Sequence, residues 1–366
     1  LDTVPDGGWL DGAYGVVAAV EVAATLAAGH VDLEHGLVTV AFANEEGARG
    51  TAGMVGSRAI VGEVTEAELG TPDDEGVPLH ERLRAAHATG PLATARWDLA
   101  TVEAFVELHI EQGPVLDAAE RDLGVVTAVT GRRSLDVDVR GRANHAGTTP
   151  MDRRHDALAA AAELVLTVEA LAREGVVRVA TCGRIEAHPG AGNVVPGHVR
   201  LAAELRDEDP DRLDAATDVV TSWLTGIARR RGVDITVTPG QRVAPTPADD
   251  RVRRTIRRVV AATGRPWTEL PSGAGHDAQV LGAHVPMGMI FVPSRGGISH
   301  APDEDTAAEH LVAGAQALCD TLLALDAETG GRTWVDSGGR GTRNHPISAA
   351  APAGATATTG ATGERS

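Results

Sequence analysis

The chain has 366 residues, 43% of them hydrophobic and 23% charged, with a formal net charge of −18. That length suits two globular domains, and the acidic balance, with all 33 basic residues being Arg, speaks against the basic face a generic nucleic-acid binder needs. Cys182 and Cys319 form neither a disulfide framework nor a CxxC pair, no signal peptide is visible and no apolar run reaches the roughly 18 residues a membrane span needs, so a cytoplasmic protein is expected.

Residues 1–12, LDTVPDGGWLDG, are rich in Asp, Gly and Pro and read as a loop. The chain starts at Leu inside that loop, which reads as a fragment without its natural N-terminus. A helix of small apolar residues, buried on most sides, is expected over 13–28. Asp11 just ahead of it is either an N-cap or a metal ligand at a helix start. The apolar run 37–43 reads as a buried parallel strand. It ends at Asn44 with two adjacent carboxylates, Glu45 and Glu46. These are either a solvated turn or a ligand beside a base that holds a water. Helices are expected over 53–60 and 79–86, with an acidic loop over 71–76 between them. Residues 105–112, FVELHIEQ, alternate as a strand, with Glu107, His109 and Glu111 on one face. A His between two carboxylates suits ligand work, since acids are seldom buried unpaired.

A strand over 125–130 ends at Gly131, and the pattern then changes. Strictly alternating strands at 134–140, 177–185, 199–206 and 233–238 are interleaved with long helices at 152–174 and 209–231. This β-α-β-β-α-β order is the ferredoxin-like pattern. After it, a helix over 249–262, the segment 272–281, a strand over 288–292 and a helix over 306–325 resume the first architecture. The expected fold is α/β: a split hydrolase domain (1–131 and 243–327) with a mixed, mostly parallel sheet, and an inserted ferredoxin-like α+β lid (132–242). Residues 328–366 run into Gly, Ala, Thr and Ser and read as a disordered tail.

The candidate ligands Asp2, Asp11, Glu45, Glu46, His109 and His300 each fall beside a strand or helix end of the split domain. Such ends converge on one crevice in open α/β sheets. A mixed His and carboxylate set suits one or two first-row divalent cations, Zn, Mn, Co or Ni. There is no GxSxG, no P-loop and no cysteine in a nucleophile context, so hydrolysis by metal-activated water leads. Read alone, His145 could be a turn residue and Arg206 a solvated strand end; His276, beside Asp277, could support a ligand.

Six stretches carry a resemblance: LDTVPDGGWLDGAYG (1–15), FANEEGARG (42–50), ELHIEQGPVL (107–116), RANHAGTTPMDRRHDAL (142–158), GAGNVVPG (190–197), and SGAGHDAQ (272–279) with PSRGGISHAPDE (293–304). The chain resembles the M20-type metallohydrolases, and within them the group of N-carbamoyl-L-amino acid hydrolases, allantoate amidohydrolases and β-ureidopropionases. The resemblance implies two divalent cations per subunit. Asp11 would bridge them, Glu46 and His300 would complete one site, and His109 would serve the other. Glu45 would be the general base, and Asp2 would orient a His ligand from behind. His145 would stabilise the oxyanion, Asn193 and Arg206 would grip the substrate α-carboxylate, and Gln112 and Gly275 would line the pocket. It also implies a small carbamoyl or ureido amino acid substrate and a homodimer through the inserted domain, with His145 serving its own or the partner subunit. A metal-binding His that precedes the LDT stretch in the family has no counterpart here. The expectation is therefore one tight cation, one weak cation and low activity. The reading from another class is a catalytically impaired fragment.

Overall fold

The computed structural model describes residues 4–88 and 90–329. Asp2 and the low-complexity stretch from 330 onward lie outside the described residues. Helices α1 (Ala13–Ala28), α2 (Val55–Val61), α3 (Glu66–Leu69) and α4 (Leu79–Ala85) precede strand β1 (Phe105–Ile110). The short α5 (Val115–Ala118) leads to β2 (Leu123–Val129) and β3 (Gly131–Arg140). Then come β4 (Asn144–His145), α6 (Ala157–Arg173), β5 (Val179–His188), β6 (Val194–Val195), β7 (His198–Asp207), α7 (Pro210–Arg231) and β8 (Asp234–Val243). Next are β9 (Thr246–Pro247), α8 (Asp250–Ala262), β10 (Trp267–Ser272), α9 (Asp277–Leu281), β11 (Met287–Val292) and α10 (Ala308–Thr329).

The first sheet runs β1-β11-β2-β10, with β9 alongside β2. It is mixed: β1 with β11 and β2 with β10 are parallel, while β11 with β2 and β2 with β9 are antiparallel. Every residue of β11 is buried, as a central strand covered on both faces requires. Alternation splits its side chains between two cores. Ile290 and Val292 join Tyr14, Val22, Ile256 and Leu318 under α1, α8 and α10. Met287, Met289 and Phe291 join Leu116 and Leu270 on the other side.

The second sheet, β5-β7-β3-β8, is antiparallel throughout. Its α6 and α7 pack on one face around a core of its own that includes Val137, Leu164, Leu201 and Leu213. Element order and topology are those of the ferredoxin-like pattern read from the alternation of apolar residues. Among the described residues, no helix is long and apolar enough to cross a membrane.

Local differences from the sequence expectation have physical causes. Residues 37–43 pair with no strand among the described residues. With Val106 of β1, their Val38, Val40 and Phe42 form the apolar side of a cavity of about 350 Å³ whose other lining includes Asp11, Glu45 and His109. Helix α1 is not buried on most sides. Only its Tyr14, Ala18, Val22 and Leu26 stripe is buried, one face of a 3.6-residue repeat, while Val17 and Val20 are exposed. Helix α6 starts at Ala157, not near 152, because the Asp156 carboxylate accepts from the Leu158 and Ala159 N–H groups and caps it there. Strand β10 is missed in the sequence because Pro271 breaks it; the register with β2 shifts between Leu270 and Ser272. Helix α10 runs past the expected boundary at 327, and Glu328 accepts from Thr255 Oγ1 and from Arg258.

Candidate metal centre

Helix α1 opens on Gly12, whose φ of 65° and lack of a side-chain cap leave Asp11 unused as an N-cap. The Asp11 carboxylate instead turns inward. Its Oδ1 lies 3.1 Å from His109 Nε2 and its Oδ2 lies 3.1 Å from His300 Nε2. Glu46 Oε1 sits 3.2 Å from the same His300 nitrogen. Three loop residues around this point adopt left-handed backbone: Asn44 (φ 52°), Gln112 (φ 57°) and His300 (φ 55°). Non-glycine residues hold that conformation where the surroundings over-determine it. At Asn44, Oδ1 accepts from Arg49 N and Nδ2 donates to Thr51 Oγ1, which closes the loop carrying Glu45 and Glu46.

Strand alternation brings Glu107 and His109 to this side of β1. His276, at the start of α9, stacks edge-on against His109 with ring centres 4.7 Å apart. Two groups of potential ligands result, Asp11–Glu46–His300 and Glu107–His109–His276. In each, the ligand atoms lie within 4.8 Å of one another. Glu111 does not join them. It lies just past the end of β1, and its carboxylate accepts from the Val115 and Leu116 N–H groups at the start of α5.

Charge decides what this arrangement can hold. Burial, then Asp277, Glu46 and Glu107, push Glu45 up to about 9, against the pull of His109. Burial and Asp277 raise Glu107 to about 7, and burial raises Asp277 to about 6. Burial also pushes Asp11 up, but the hydrogen bond and charge of His109 and the charge of His300 outweigh it and hold the group at about 2. Burial lowers His109, and the Asp11 hydrogen bond and charge overcome that to raise it to about 9. Burial and the charge of His109 hold His276 well below an ordinary imidazole. Gln112 Oε1 and Asp277 Oδ1 are buried with no hydrogen-bond partner among the described residues. A crowded, desolvated set of carboxylates and imidazoles that is short of positive charge fits divalent cations.

These shifts fix a pH dependence for the cation-free protein. Glu45 and His109 each keep a proton in the folded state up to about 9, whereas the unfolded chain releases it near 4.5 and 6.5. The stability they contribute is complete below those lower values and is lost as pH rises through about 9. Asp11 titrates far below this window and His276 is already neutral. The thermal midpoint in EDTA is therefore expected to fall between pH 7 and 9, and added Mn²⁺ or Co²⁺ to raise it more at pH 9 than at pH 7. A flat or rising midpoint in EDTA would contradict the electrostatics described.

The remaining sequence candidates divide. Gln112 belongs to the cluster: its Nε2 donates to Asp11 Oδ2 at 2.7 Å. Gly275 lies in the loop before His276, where a Cβ would come within 2.5 Å of Met54 Cε. Arg206 reaches that loop from β7, donating to the Gly273 carbonyl at 2.6 Å while its other nitrogens contact Glu204. His145 and Asn193 lie together, since β4 pairs with β6 and Ala146 N donates to the Asn193 carbonyl. Among the described residues, no hydrogen bond or ion pair joins either of them to the Asp11 cluster. Sequence reading passed over Glu304. Its buried carboxylate accepts from the Leu10 and Asp11 N–H groups at 2.9 and 3.0 Å and from Ser299 Oγ at 2.8 Å. The signal available was its place in the ISHAPDE stretch.

The sequence pattern of Peptidase family M20/M25/M40 matches residues 1–324. The chain belongs to this family. It is similar to the N-carbamoyl-L-amino acid amidohydrolase of Geobacillus stearothermophilus, 39% identical over 326 residues that cover 89% of this chain and 80% of that protein. It is 38% identical over 332 residues to the allantoate amidohydrolase of Bacillus subtilis, covering 89% and 79%. The solved structure of a hydantoinase/carbamoylase family amidase from Burkholderia multivorans superposes with a TM-score of 0.82 at 34% identity, over 89% of this chain and 79% of that one. This M20-family chain is an amidohydrolase, and its ligand groups are of the kind divalent cations take.

Proposed function

We propose that the protein hydrolyses the ureido C–N bond of N-carbamoyl-L-amino acids, releasing the free amino acid, CO₂ and ammonia. The observation that carries this reading is Asp11 placed between His109 and His300, with Glu45 and Glu46 on the adjoining loop. Divalent cations held by Asp11, Glu46 and His300 on one side and by Asp11 and His109 on the other would supply polarisation of the carbonyl and a water acidic enough to lose its proton near neutral pH. Glu45 collects that proton and passes it to the leaving nitrogen. His145 Nδ1 accepts from the Gly147 and Thr148 N–H groups. In the neutral ring Nε2 then carries the proton, as a donor to an oxyanion must. Arg206, whose planar fork matches a carboxylate, binds the substrate α-carboxylate in place of Glu204, and Asn193 assists.

No hydrogen bond or ion pair among the described residues joins His145 or Asn193 to the cluster, which leaves room for their acting from the other subunit of a homodimer. Strand β5 is an edge of the second sheet, and Val179 and Ile185 on it are about half exposed, while Leu166 on the adjoining α6 is 65% exposed. An apolar edge of this kind is suited to pairing with a second copy. Leu166→Glu is expected to convert the dimer to a monomer in sedimentation velocity; a monomeric wild-type protein at micromolar concentration would remove the dimer from the reading. A cytoplasmic setting is part of the same reading.

Near-equal identity to a relative named for allantoate supports allantoate as the second substrate. Ammonia release should be measured with Mn²⁺, Co²⁺ or Ni²⁺ on N-carbamoyl-L-amino acids, N-carbamoyl-β-alanine and allantoate. The highest kcat/KM is expected on N-carbamoyl-L-amino acids, with KM raised in Arg206→Lys. Preference for allantoate would shift the assignment, and no turnover of any of the three would leave the impaired fragment.

A further inference from the structure

We propose that Glu107 and His276 are ligands of the second cation, beside His109. The inference rests on the reading of the chain as a metal-dependent hydrolase. Two hydrogen bonds fix where the imidazole lone pairs point. The Ser272 hydroxyl donates to the Ala274 carbonyl at 3.0 Å, so it meets His276 Nε2, 2.7 Å away, as an acceptor. Nε2 therefore carries the proton of the neutral ring and Nδ1 carries the lone pair. Nδ1 faces Glu107 Oε1 at 3.6 Å, too long for a hydrogen bond. Glu107 is itself oriented from behind, because its Oε2 accepts from the Ala278 N–H at 2.8 Å.

His109 follows the same logic. Its Nδ1 lies 2.8 Å from the Ile110 carbonyl, which can only accept, so Nδ1 donates; Nε2, whose proton meets Asp11 in the cation-free protein, is the nitrogen left to offer its lone pair when a cation displaces that proton. Glu107, His109 and His276 thus each direct a ligand atom into one buried space, within 4.8 Å of one another. Each is steered by an outer hydrogen bond, from Ala278, to Ile110 or to Ser272, the arrangement that orients metal ligands generally. Two imidazoles and one carboxylate form a donor set that Zn²⁺ and its neighbours accept. Asp11, in contact with His109, links this site to the Asp11–Glu46–His300 site.

The test is cobalt binding by the whole chain, followed by elemental analysis after dialysis and by the visible absorption of Co²⁺. Wild type is expected to hold two Co²⁺ per chain. His276→Ala and Glu107→Gln are each expected to hold one, lodged at Asp11–Glu46–His300, and that remaining ion is lost on further substituting His300→Ala. Thermal midpoints in EDTA show whether each variant folds, and Glu107→Gln, which keeps the side-chain shape, carries the test if His276→Ala does not. Two Co²⁺ retained in the folded variants would overturn the inference. So would a wild type holding a single Co²⁺ that only His300→Ala removes; both outcomes leave the hydrolase reading standing. A wild type that binds no cation would overturn the hydrolase reading itself, and the inference with it.

Discussion

Glu45→Gln is expected to lower kcat by about 10²–10⁴-fold, the usual worth of a positioned general base, while cation content and fold are kept. Gln has the size of Glu and can accept a hydrogen bond, but it cannot take up a proton. The position is built for proton traffic. Burial and the neighbouring carboxylates Asp277, Glu46 and Glu107 push Glu45 up to about 9 when only His109 opposes them. Positive charge at the adjoining ligands brings the group back toward neutrality, where a base both takes and returns protons. Glu46→Gln should behave differently, because Glu46 faces His300 and belongs to a ligand group: cation binding weakens along with turnover. The measurement is steady-state kinetics paired with elemental analysis. A Glu45→Gln enzyme that turns over at the wild-type rate would remove the base from Glu45.

Parts of this centre are legible in the sequence because they lie in short motifs at the ends of regular elements. The run of apolar residues into Glu45 and Glu46, the alternation that puts Glu107 beside His109, and the Asp ahead of a small-residue helix are all local patterns. What remained hidden depends on contacts across hundreds of residues. Glu111 alternates in phase with His109 in the sequence, yet β1 stops at Ile110 and Glu111 turns to cap α5. His276 meets His109 only because β10 and α9 carry it there from far along the chain. Residues 37–43 have the composition of a strand, but a strand also needs a partner ladder, which composition does not supply. The ferredoxin-like unit was easier to read, because every strand in it has one apolar and one polar face. Its polar residues were harder. His145 and Asn193 share a ribbon as motif reading would suggest, but no polar contact among the described residues brings that ribbon to Asp11.

Glu304→Ala is expected to lower stability and cation affinity together, although Glu304 belongs to neither ligand group. Its side chain is 2% exposed. One carboxylate oxygen accepts from the N–H groups of both Leu10 and Asp11, the other accepts from Ser299, and its backbone carbonyl accepts from Trp9 Nε1 at 3.1 Å. The loop holding Asp11 is therefore clamped onto the loop holding His300 through one buried anion. Hydrogen bonds to a charged group contribute about 1.5–3 kcal/mol each, and truncation leaves buried donors unsatisfied. A net loss on the order of 3 kcal/mol follows even with incomplete additivity. Asp11 lies within 3.1 Å of both His109 and His300, so loosening its backbone misaligns both ligand groups at once. The thermal midpoint in EDTA reports the first loss and a Co²⁺ titration of the folded variant reports the second. Gly8→Ala approaches the same clamp from the other side, since a Cβ there would lie 2.3 Å from Glu304 Oε1 and must push that carboxylate aside. If Glu304→Ala kept wild-type stability and affinity, Asp11 would have to be held by its own side-chain contacts with Gln112, His109 and His300, since α1 starts uncapped at Gly12.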